Sequence, residues 1–336
     1  MVKLSEILRK SSQTQIKYEE KPGLISEAFE IKKNKQGFSE IKELYEDVIL
    51  HLMLIMDDVK DGKTVEREKV ISLPEIIADI LRADNNILLC LVNIFSYLGK
   101  QEDFLYSHSV NVSILAANLG LALGYSRREL INLCISALLH DIGYLRISQE
   151  IINKPSKLTK EEFDLVKKHT IYGVELLDYL KGIPECASEV IRQHHERIDG
   201  TGYPEGKRGD DISEYAKIVA IAEVYEAITH PRPYRREKII PFEGVKTIVQ
   251  KGKSSFEPEL VKVFLNSISP YPPGSFVLLN TSAIGRVYSV DRNIPLRPVV
   301  EIFFDADGRP PEKPKRIDLA KTPALQIEKA LDENDL

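Results

Sequence analysis

The sequence predicts a mainly α-helical protein that ends in a small antiparallel β-sheet. Between Leu73 and Ile268, apolar residues recur at helical spacing and helix-start patterns repeat. After Pro270, short segments rich in β-branched and aromatic residues alternate with turn sequences. These two observations predict a large helical core with a smaller piece at each end.

The predicted domain boundaries follow these changes of pattern. A length of 336 residues agrees with roughly two domains of about 150 residues each. We expect a helical extension or small accessory module over 1–72, the helical domain over 73–268, the β extension over 269–320 and a polar tail over 321–336. In the first segment, apolar residues recur at helical spacing from Phe38 to Val59.

Several helix starts carry a capping box, in which a short polar side chain and a glutamate three residues later satisfy free backbone amides. The uncharged run 109–126 includes Asn111, Ser113 and Asn118, so it predicts a buried core helix rather than a membrane span. The predicted capping boxes are Ser126 with Glu129, Thr159 with Glu162, and Asp211 with Glu214.

The strands of the β extension are predicted by clustered or alternating apolar residues. Turn residues at 280–283, 291–295 and 305–309 separate and bound them. The predicted strands run from Ser275 to Leu279, from Gly285 to Val290 and from Val299 to Phe304.

Charge and cysteine usage exclude several classes of protein. With 46 basic and 51 acidic side chains the net charge is −5, which argues against a binder of nucleic-acid polymers or of membrane surfaces. The three cysteines are far apart and form no CxxC pair, so neither a disulfide framework nor a thiolate zinc site is expected. The opening MVKLSEILRK lacks the apolar stretch of a signal peptide. We therefore expect a cytoplasmic protein.

Histidine distribution gives the first indication of chemistry, because six of the seven histidines lie between His108 and His230. A single histidine is more often structural or exposed than a metal ligand. The combination of histidines with acidic residues predicts a two-metal site, because imidazole nitrogens and carboxylate oxygens suit iron, manganese or zinc. The candidate ligands are His108, His140, Asp141, His169, His194, His195 and Glu223.

Two further segments are candidates for substrate contact. HHERIDGTGYP, at 194–204, contains Gly200 and Gly202, which permit close backbone approach beside Tyr203. It is either an ordinary turn or a substrate-facing loop, and the preceding histidine pair favours the loop. PRPYRREK, at 231–238, is either a solvated charge run or a phosphate-binding patch, since arginine binds phosphate in bidentate fashion.

HDIG at 140–143, NKPSKLTKEEF at 153–163, His169, HHERIDGTGYP and RPYR at 232–235 together resemble an HD-GYP domain. HD-GYP domains are a branch of the HD superfamily of metal-dependent phosphohydrolases. The resemblance is close over 105–240 and looser over 75–268. It implies an HD-type helical bundle that hydrolyses cyclic di-GMP to pGpG or GMP, with a metal-bridging hydroxide attacking phosphorus.

The resemblance also implies roles for individual residues. It implies two divalent metal ions, iron or manganese with zinc as an alternative, held by the six histidine and aspartate ligands already named, with Glu223 as a further ligand. Asp141 and Tyr144 occupy catalytic positions. The positions that contact the nucleotide are Tyr144, Gly202, Tyr203, Arg232 and Arg235.

Three positions depart from the family pattern. Tyr144 replaces the usual lysine after HDIG, which predicts reduced activity, and Glu223 replaces the usual aspartate. Phe104 stands where some members have a glutamate that helps to hold a third metal, so two metals are expected.

One alternative function is that of a catalytically degenerate member that binds a cyclic dinucleotide or a protein partner as a signalling adaptor. Another is an enzyme for a related cyclic dinucleotide. A homodimer or a signalling-protein partner is a further hypothesis that the sequence does not test.

Overall fold

The computed structural model describes residues 38–84, 88–89, 91–92, 104–154, 156–230, 241–252, 254–291, 294–311, 313 and 315–331. The α-helices in these ranges are α1 (Phe38–Lys60), α2 (Arg67–Ala83), α3 (Phe104–Ala122), α4 (Arg127–Leu139), α5 (Gln149–Ile152), α6 (Lys160–Lys167), α7 (His169–Leu176), α8 (Glu185–Gln193), α9 (Glu214–Thr229), α10 (Pro241–Lys251) and α11 (Pro258–Ser267). Short 3-10 helices span Ile142–Arg146, Leu177–Tyr179 and Gly209–Asp211. The prediction of a mainly helical fold is confirmed.

Helix α3 runs through the centre of the bundle. Its residues are buried without interruption from Ser107 to Gly120, as expected for an uncharged helix enclosed by other helices. One continuous apolar core joins α3 to α1, α2, α4, α9 and α11. In the described part of the chain, no helix combines the length and the apolar character needed to cross a bilayer.

The N-terminal helix α1 packs into this same core. Tyr45, Leu52 and Met56 are each at most 2% exposed and belong to the apolar cluster that contains the α3 side chains. Helix α2 runs through the predicted boundary at residue 72. The first 37 residues of the predicted N-terminal extension lie outside the described residues.

Two of the predicted capping boxes are confirmed, at Ser126 with Glu129 and at Thr159 with Glu162. The third prediction is wrong. Asp211 ends a 3-10 helix, and α9 begins at Glu214 with Ser213 as its cap, whose hydroxyl accepts a hydrogen bond from the backbone amide of Ala216. Ser213 directly precedes the helix, so its hydroxyl reaches the free amide of the first turn.

The C-terminal part forms a five-stranded antiparallel sheet with the strand order β4-β3-β2-β1-β5. Three strands were predicted to within one residue at each end, and two further strands, β4 and β5, were not predicted. The segment predicted as a polar tail, 321–336, contains β5, which pairs with β1 through Val277 and Ala330, and this corrects the prediction. The strands are β1 (Phe276–Leu279), β2 (Ile284–Ser289), β3 (Val299–Phe304), β4 (Lys315–Asp318) and β5 (Ile327–Leu331).

Candidate metal centre

The carboxylate of Asp141 stands at the centre of four imidazoles. Its Oδ2 atom lies 3.5 Å from Nε2 of His108 and 3.3 Å from Nε2 of His140. Its Oδ1 atom lies 3.4 Å from Nε2 of His169 and 3.6 Å from Nε2 of His194. Each carboxylate oxygen therefore faces its own pair of imidazoles, so Asp141 could contribute one oxygen to each of two cation sites.

The ligand atoms fall into two groups that share Asp141, and within each group the atoms lie within 4.8 Å of one another. Four of the five histidines are at most 1% exposed, and the side chain of His195 is 13% exposed. The first group is His108, His140 and Asp141, and the second is Asp141, His169, His194 and His195. The structure thus brings together all six histidine and aspartate residues that the sequence predicted as ligands.

The ends of helices orient three of these imidazoles. Nδ1 of His140 donates to the carbonyl oxygen of Ala137 at 2.7 Å, and Nδ1 of His169 donates to that of Val166 at 2.7 Å. Nδ1 of His194 lies 3.0 Å from the carbonyl oxygen of Ile191. A carbonyl can only accept, so each Nδ1 carries a proton, and Nε2 is the ring nitrogen that faces Asp141.

Several polar atoms at this centre are buried without a hydrogen-bond partner among the described residues. They are His140 Nε2, Asp141 Oδ1, His195 Nε2 and Glu223 Oε2. A buried polar atom without a partner is costly, and convergent nitrogen and oxygen atoms are what a divalent cation requires. The donor set fits the iron or manganese implied by the family resemblance, with zinc as an alternative.

Electrostatics inside the cluster shift the pKa values of four candidate ligands in different directions. Burial opposes ionisation of Asp141, but the neighbouring imidazoles outweigh it and hold its pKa well below the usual value. Burial lowers the pKa of His169 to about 4 and that of His195 well below its usual value. Burial also disfavours the charged form of His140, yet attraction to Asp141 raises its pKa to about 8.

Close backbone packing explains the glycine of the HDIG motif. A Cβ atom at Gly143 would lie 1.9 Å from the carbonyl oxygen of His169 and 2.7 Å from the backbone nitrogen of Gly173. Both approaches are shorter than van der Waals contact. Glycine at this position therefore lets the 3-10 helix Ile142–Arg146 lie against α7 and brings Asp141 next to His169.

Tyr144 and Tyr203 each cover one imidazole of the centre. The ring of Tyr144 stacks on His169 with centroids 4.5 Å apart, and the ring of Tyr203 stacks on His195 at the same distance. Burial raises the pKa of the Tyr203 phenol, and the carboxylates of Glu223 and Asp141 raise it further. The loop over 194–204 therefore faces the metal centre, and Tyr203 keeps its proton at neutral pH.

Glu196, which was not among the residues predicted from the sequence, holds this loop in place. Its carboxylate accepts hydrogen bonds from the backbone amides of Glu205, Gly206 and Lys207 at 2.7, 3.1 and 3.0 Å. The residue is 3% exposed. In the sequence, Glu196 is marked only by its position inside the motif. The motif does not indicate that its carboxylate accepts hydrogen bonds from the backbone of the same loop.

The remaining candidates are placed less centrally. Oε2 of Glu223 lies 3.6 Å from Nδ1 of His195, at the edge of the second ligand group but not within it. Phe104 stacks on His108 with centroids 5.6 Å apart and supplies no carboxylate there. Arg232 and Arg235 lie outside the described residues, so their roles stay predictions.

His230, the one clustered histidine that was not predicted as a ligand, is buried, and its Nδ1 lies 3.8 Å from Oε1 of Glu226. Its Nε2 donates to the carbonyl oxygen of Val92 at 2.7 Å. It belongs to neither ligand group among the described residues. The remaining histidine, His51, donates a hydrogen bond from Nε2 to the carbonyl oxygen of Lys69 at 3.0 Å.

Known protein families match both parts of the chain. The profile of the HD domain matches residues 96–260, and that of a KOW domain associated with the HD domain matches 276–336. A cyclic di-GMP phosphodiesterase of Pseudomonas aeruginosa is 33% identical over 265 residues, which cover 79% of this chain and 62% of that protein. A 3'3'-cGAMP-specific phosphodiesterase of Vibrio cholerae is 31% identical over 207 residues, covering 61% of this chain and 44% of that protein.

The chain thus spans less than two thirds of the length of these relatives. Among solved structures, an HDG"Y"P protein from Bdellovibrio bacteriovorus aligns with a TM-score of 0.56 at 19% identity, covering 72% of this chain and 75% of that one. That similarity concerns the fold. Together with the matched motifs, these findings show that residues 96–260 of the chain form an HD domain.

Proposed function

We propose that this chain is a metal-dependent phosphodiesterase that hydrolyses cyclic di-GMP to pGpG or GMP. The observation that carries the proposal is the position of Asp141, which presents one carboxylate oxygen to each of two imidazole pairs. Such a site would hold two divalent cations, which would stabilise negative charge on a phosphoryl group. The relative from Pseudomonas aeruginosa, named for cyclic di-GMP hydrolysis, supports this choice of substrate.

The residues that would hold the cations are those of the two ligand groups, with Glu223 as a candidate addition at the edge of the second group. When bound, two divalent cations supply Lewis-acid charge and lower the pKa of a water molecule. Buried Nδ1–H donors keep the Nε2 lone pairs of His140, His169 and His194 directed at this position. These hydrogen bonds would therefore hold the three rings in the orientation that a cation requires.

Other side chains would orient the substrate. The protonated phenol of Tyr203 is a hydrogen-bond donor held beside His195, suited to a phosphate oxygen. Lys167 adds positive charge nearby, with Nζ 5.8 Å from the centroid of the Tyr203 ring. We include Gly202, Tyr144, Arg232 and Arg235 as substrate contacts on the strength of the family resemblance.

The test is turnover of cyclic di-GMP by protein loaded with iron, manganese or zinc, with pGpG and GMP separated by liquid chromatography. A parallel incubation with 3'3'-cGAMP distinguishes the two cyclic dinucleotides. We expect product from cyclic di-GMP that chelator abolishes and that Asp141→Asn lacks. Tight binding of cyclic di-GMP without product under any metal would contradict hydrolysis and identify the signalling adaptor instead.

A further inference from the structure

Glu226 is a buried carboxylate on α9, three residues after Glu223, for which the reaction just proposed has no use. It is 1% exposed, and its Oε2 atom lies 2.5 Å from Nδ1 of His108. A carboxylate accepts hydrogen bonds, so Nδ1 of His108 carries the proton. Nε2 then faces the candidate metal centre, where it lies 3.5 Å from Asp141 Oδ2.

His108 needs this partner because of its place in the fold. His140, His169 and His194 stand at helix ends, where backbone carbonyls are available to hold Nδ1. His108 lies inside α3, whose carbonyls are engaged in helix hydrogen bonds. A side chain from another helix must therefore fix its ring, and Glu226 comes from 118 positions away.

The hydrogen-bonded chain continues from Glu226 to the N-terminal helix. Nδ2 of Asn111 donates to Oε1 of Glu226 at 3.4 Å, and the hydroxyl of Tyr45 donates to Oδ1 of Asn111 at 2.5 Å. Asn111 lies one turn after His108 on the same face of α3. All four side chains are at most 2% exposed, so water does not substitute for these bonds.

We infer that Glu226 is a positioning residue that fixes the tautomer and the orientation of His108. Asn111 and Tyr45 extend its support to α1. Carboxylates behind metal-bound histidines set ring orientation and raise ligand basicity. On this inference, α1 supports the metal centre rather than forming an accessory module. The inference rests on the metal site of the proposed function, but it does not require that the substrate be cyclic di-GMP.

The first test is the tautomer of His108 in the metal-free full-length chain, read from imidazole nitrogen shifts by NMR. The resonance is assigned by its loss in His108→Gln. We expect the Nδ1–H form in the wild type and a shift towards Nε2–H in Glu226→Gln, which keeps the side-chain volume. The Nε2–H form in the wild type would overturn the inference.

The second test is the affinity for Mn²⁺, measured by titration. Glu226→Gln should weaken binding by on the order of tenfold to a hundredfold, the usual effect of losing such a partner. A purely structural role would lower the unfolding midpoint and leave the affinity unchanged, which would also overturn the inference. These readouts do not involve cyclic di-GMP, so the absence of turnover would affect only the proposed function.

Tyr45→Phe tests the extension to α1, and Tyr225→Phe is its matched control. Both remove one hydroxyl from a buried tyrosine, but the Tyr225 hydroxyl has no hydrogen-bond partner among the described residues. We expect weaker Mn²⁺ binding and a changed His108 tautomer population in Tyr45→Phe alone. Equal behaviour of the two variants would overturn the role of α1. Should Glu226→Gln fail to fold, Tyr45→Phe still supplies both measurements.

Discussion

The ring of Tyr144 stacks on the imidazole of His169, with centroids 4.5 Å apart and ring planes inclined by 20°. The family resemblance implies a lysine at position 144, so the tyrosine removes a cation from the centre. It also adds a packing contact to one predicted ligand. We therefore expect Tyr144 to affect both the charge available to the substrate and the position of the His169 ring.

Tyr144→Lys should raise kcat for cyclic di-GMP by about tenfold or more, because one charge placed near a transition state is worth this much or more. Tyr144→Phe is the control, since it keeps the ring on His169 and adds no cation. Metal content is measured in both variants, so that a change in kcat can be separated from a change in the amount of bound metal. Equal kcat for the two variants would contradict the attenuating role of Tyr144.

Gly202→Ala should displace the Tyr203 loop from the metal centre. A Cβ atom at Gly202 would lie 2.4 Å from the carbonyl oxygen of His195 and 2.5 Å from Cα of Glu196. Because the obstacle is backbone, the loop must move and Tyr203 must leave His195. We expect kcat/KM for cyclic di-GMP to fall by on the order of a hundredfold, since small misplacements near the chemistry have effects of this size.

Gly206→Ala in the same loop is the control for Gly202→Ala. Its Cβ would meet nothing nearer than 3.4 Å, although its φ of +69° disfavours alanine by roughly 1–2 kcal/mol. We expect Gly206→Ala to lower stability and to retain most of the activity. Equal losses of kcat/KM in the two variants would show that general loop strain, rather than the position of Tyr203, is responsible.

Glu223→Gln tests whether this residue binds metal. The buried Oε2 atom of Glu223 has no hydrogen-bond partner among the described residues and lies 3.6 Å from Nδ1 of His195. Removing its charge should weaken Mn²⁺ binding by about tenfold, while Glu223→Asp keeps the charge and should retain most of the affinity. Unchanged binding in Glu223→Gln would exclude Glu223 as a ligand.

Acid should destabilise the metal-free protein through His169. Burial lowers the pKa of His169 from 6.5 to about 4, so below about pH 6.5 the unfolded chain takes up a proton that the folded chain does not. The free energy of unfolding should fall from pH 6.5 towards pH 4, by about 2 kcal/mol at pH 5 from this residue. His140, whose pKa is raised to about 8, contributes stability below pH 6.5 that is lost as the pH rises through 8.

Urea unfolding in chelator at pH 7 and pH 5 measures this effect, with His169→Gln as the reference. The variant should lose less stability on acidification than the wild type. The same loss in both proteins would assign the acid sensitivity to other groups.

The metal centre was predictable because its ligands sit in short motifs of fixed spacing. HDIG and the pair His194–His195 each place ligands at a helix end, and the structure brings them together around Asp141. The burial of helix α3 was predictable as well, because a long run of uncharged, mostly apolar residues is stable only inside the protein core.

The hydrogen-bonded side chains that hold His108 were not predictable from the sequence. Tyr45, Asn111 and Glu226 are single residues on three helices, and only tertiary packing brings them into contact. Strand β4 was missed because its residues are mostly polar, and β5 because two charged residues, Glu328 and Lys329, interrupt its apolar ones. Their pairing with β3 and β1 gives both strands their conformation. The predicted cap at Asp211 was wrong because a four-residue sequence pattern does not distinguish a 3-10 turn from the start of an α-helix.

A metal titration tests the proposed enzyme most directly, with bound metal and cyclic di-GMP hydrolysis measured in the same samples. Metal-free protein is titrated with Fe²⁺ or Mn²⁺ beside Asp141→Asn. We predict that pGpG or GMP formation rises with bound metal to a plateau at two ions per chain, and that Asp141→Asn stays at background throughout. No product at full metal loading, or a plateau reached equally by Asp141→Asn, would contradict a metal-dependent phosphodiesterase in which Asp141 is a ligand.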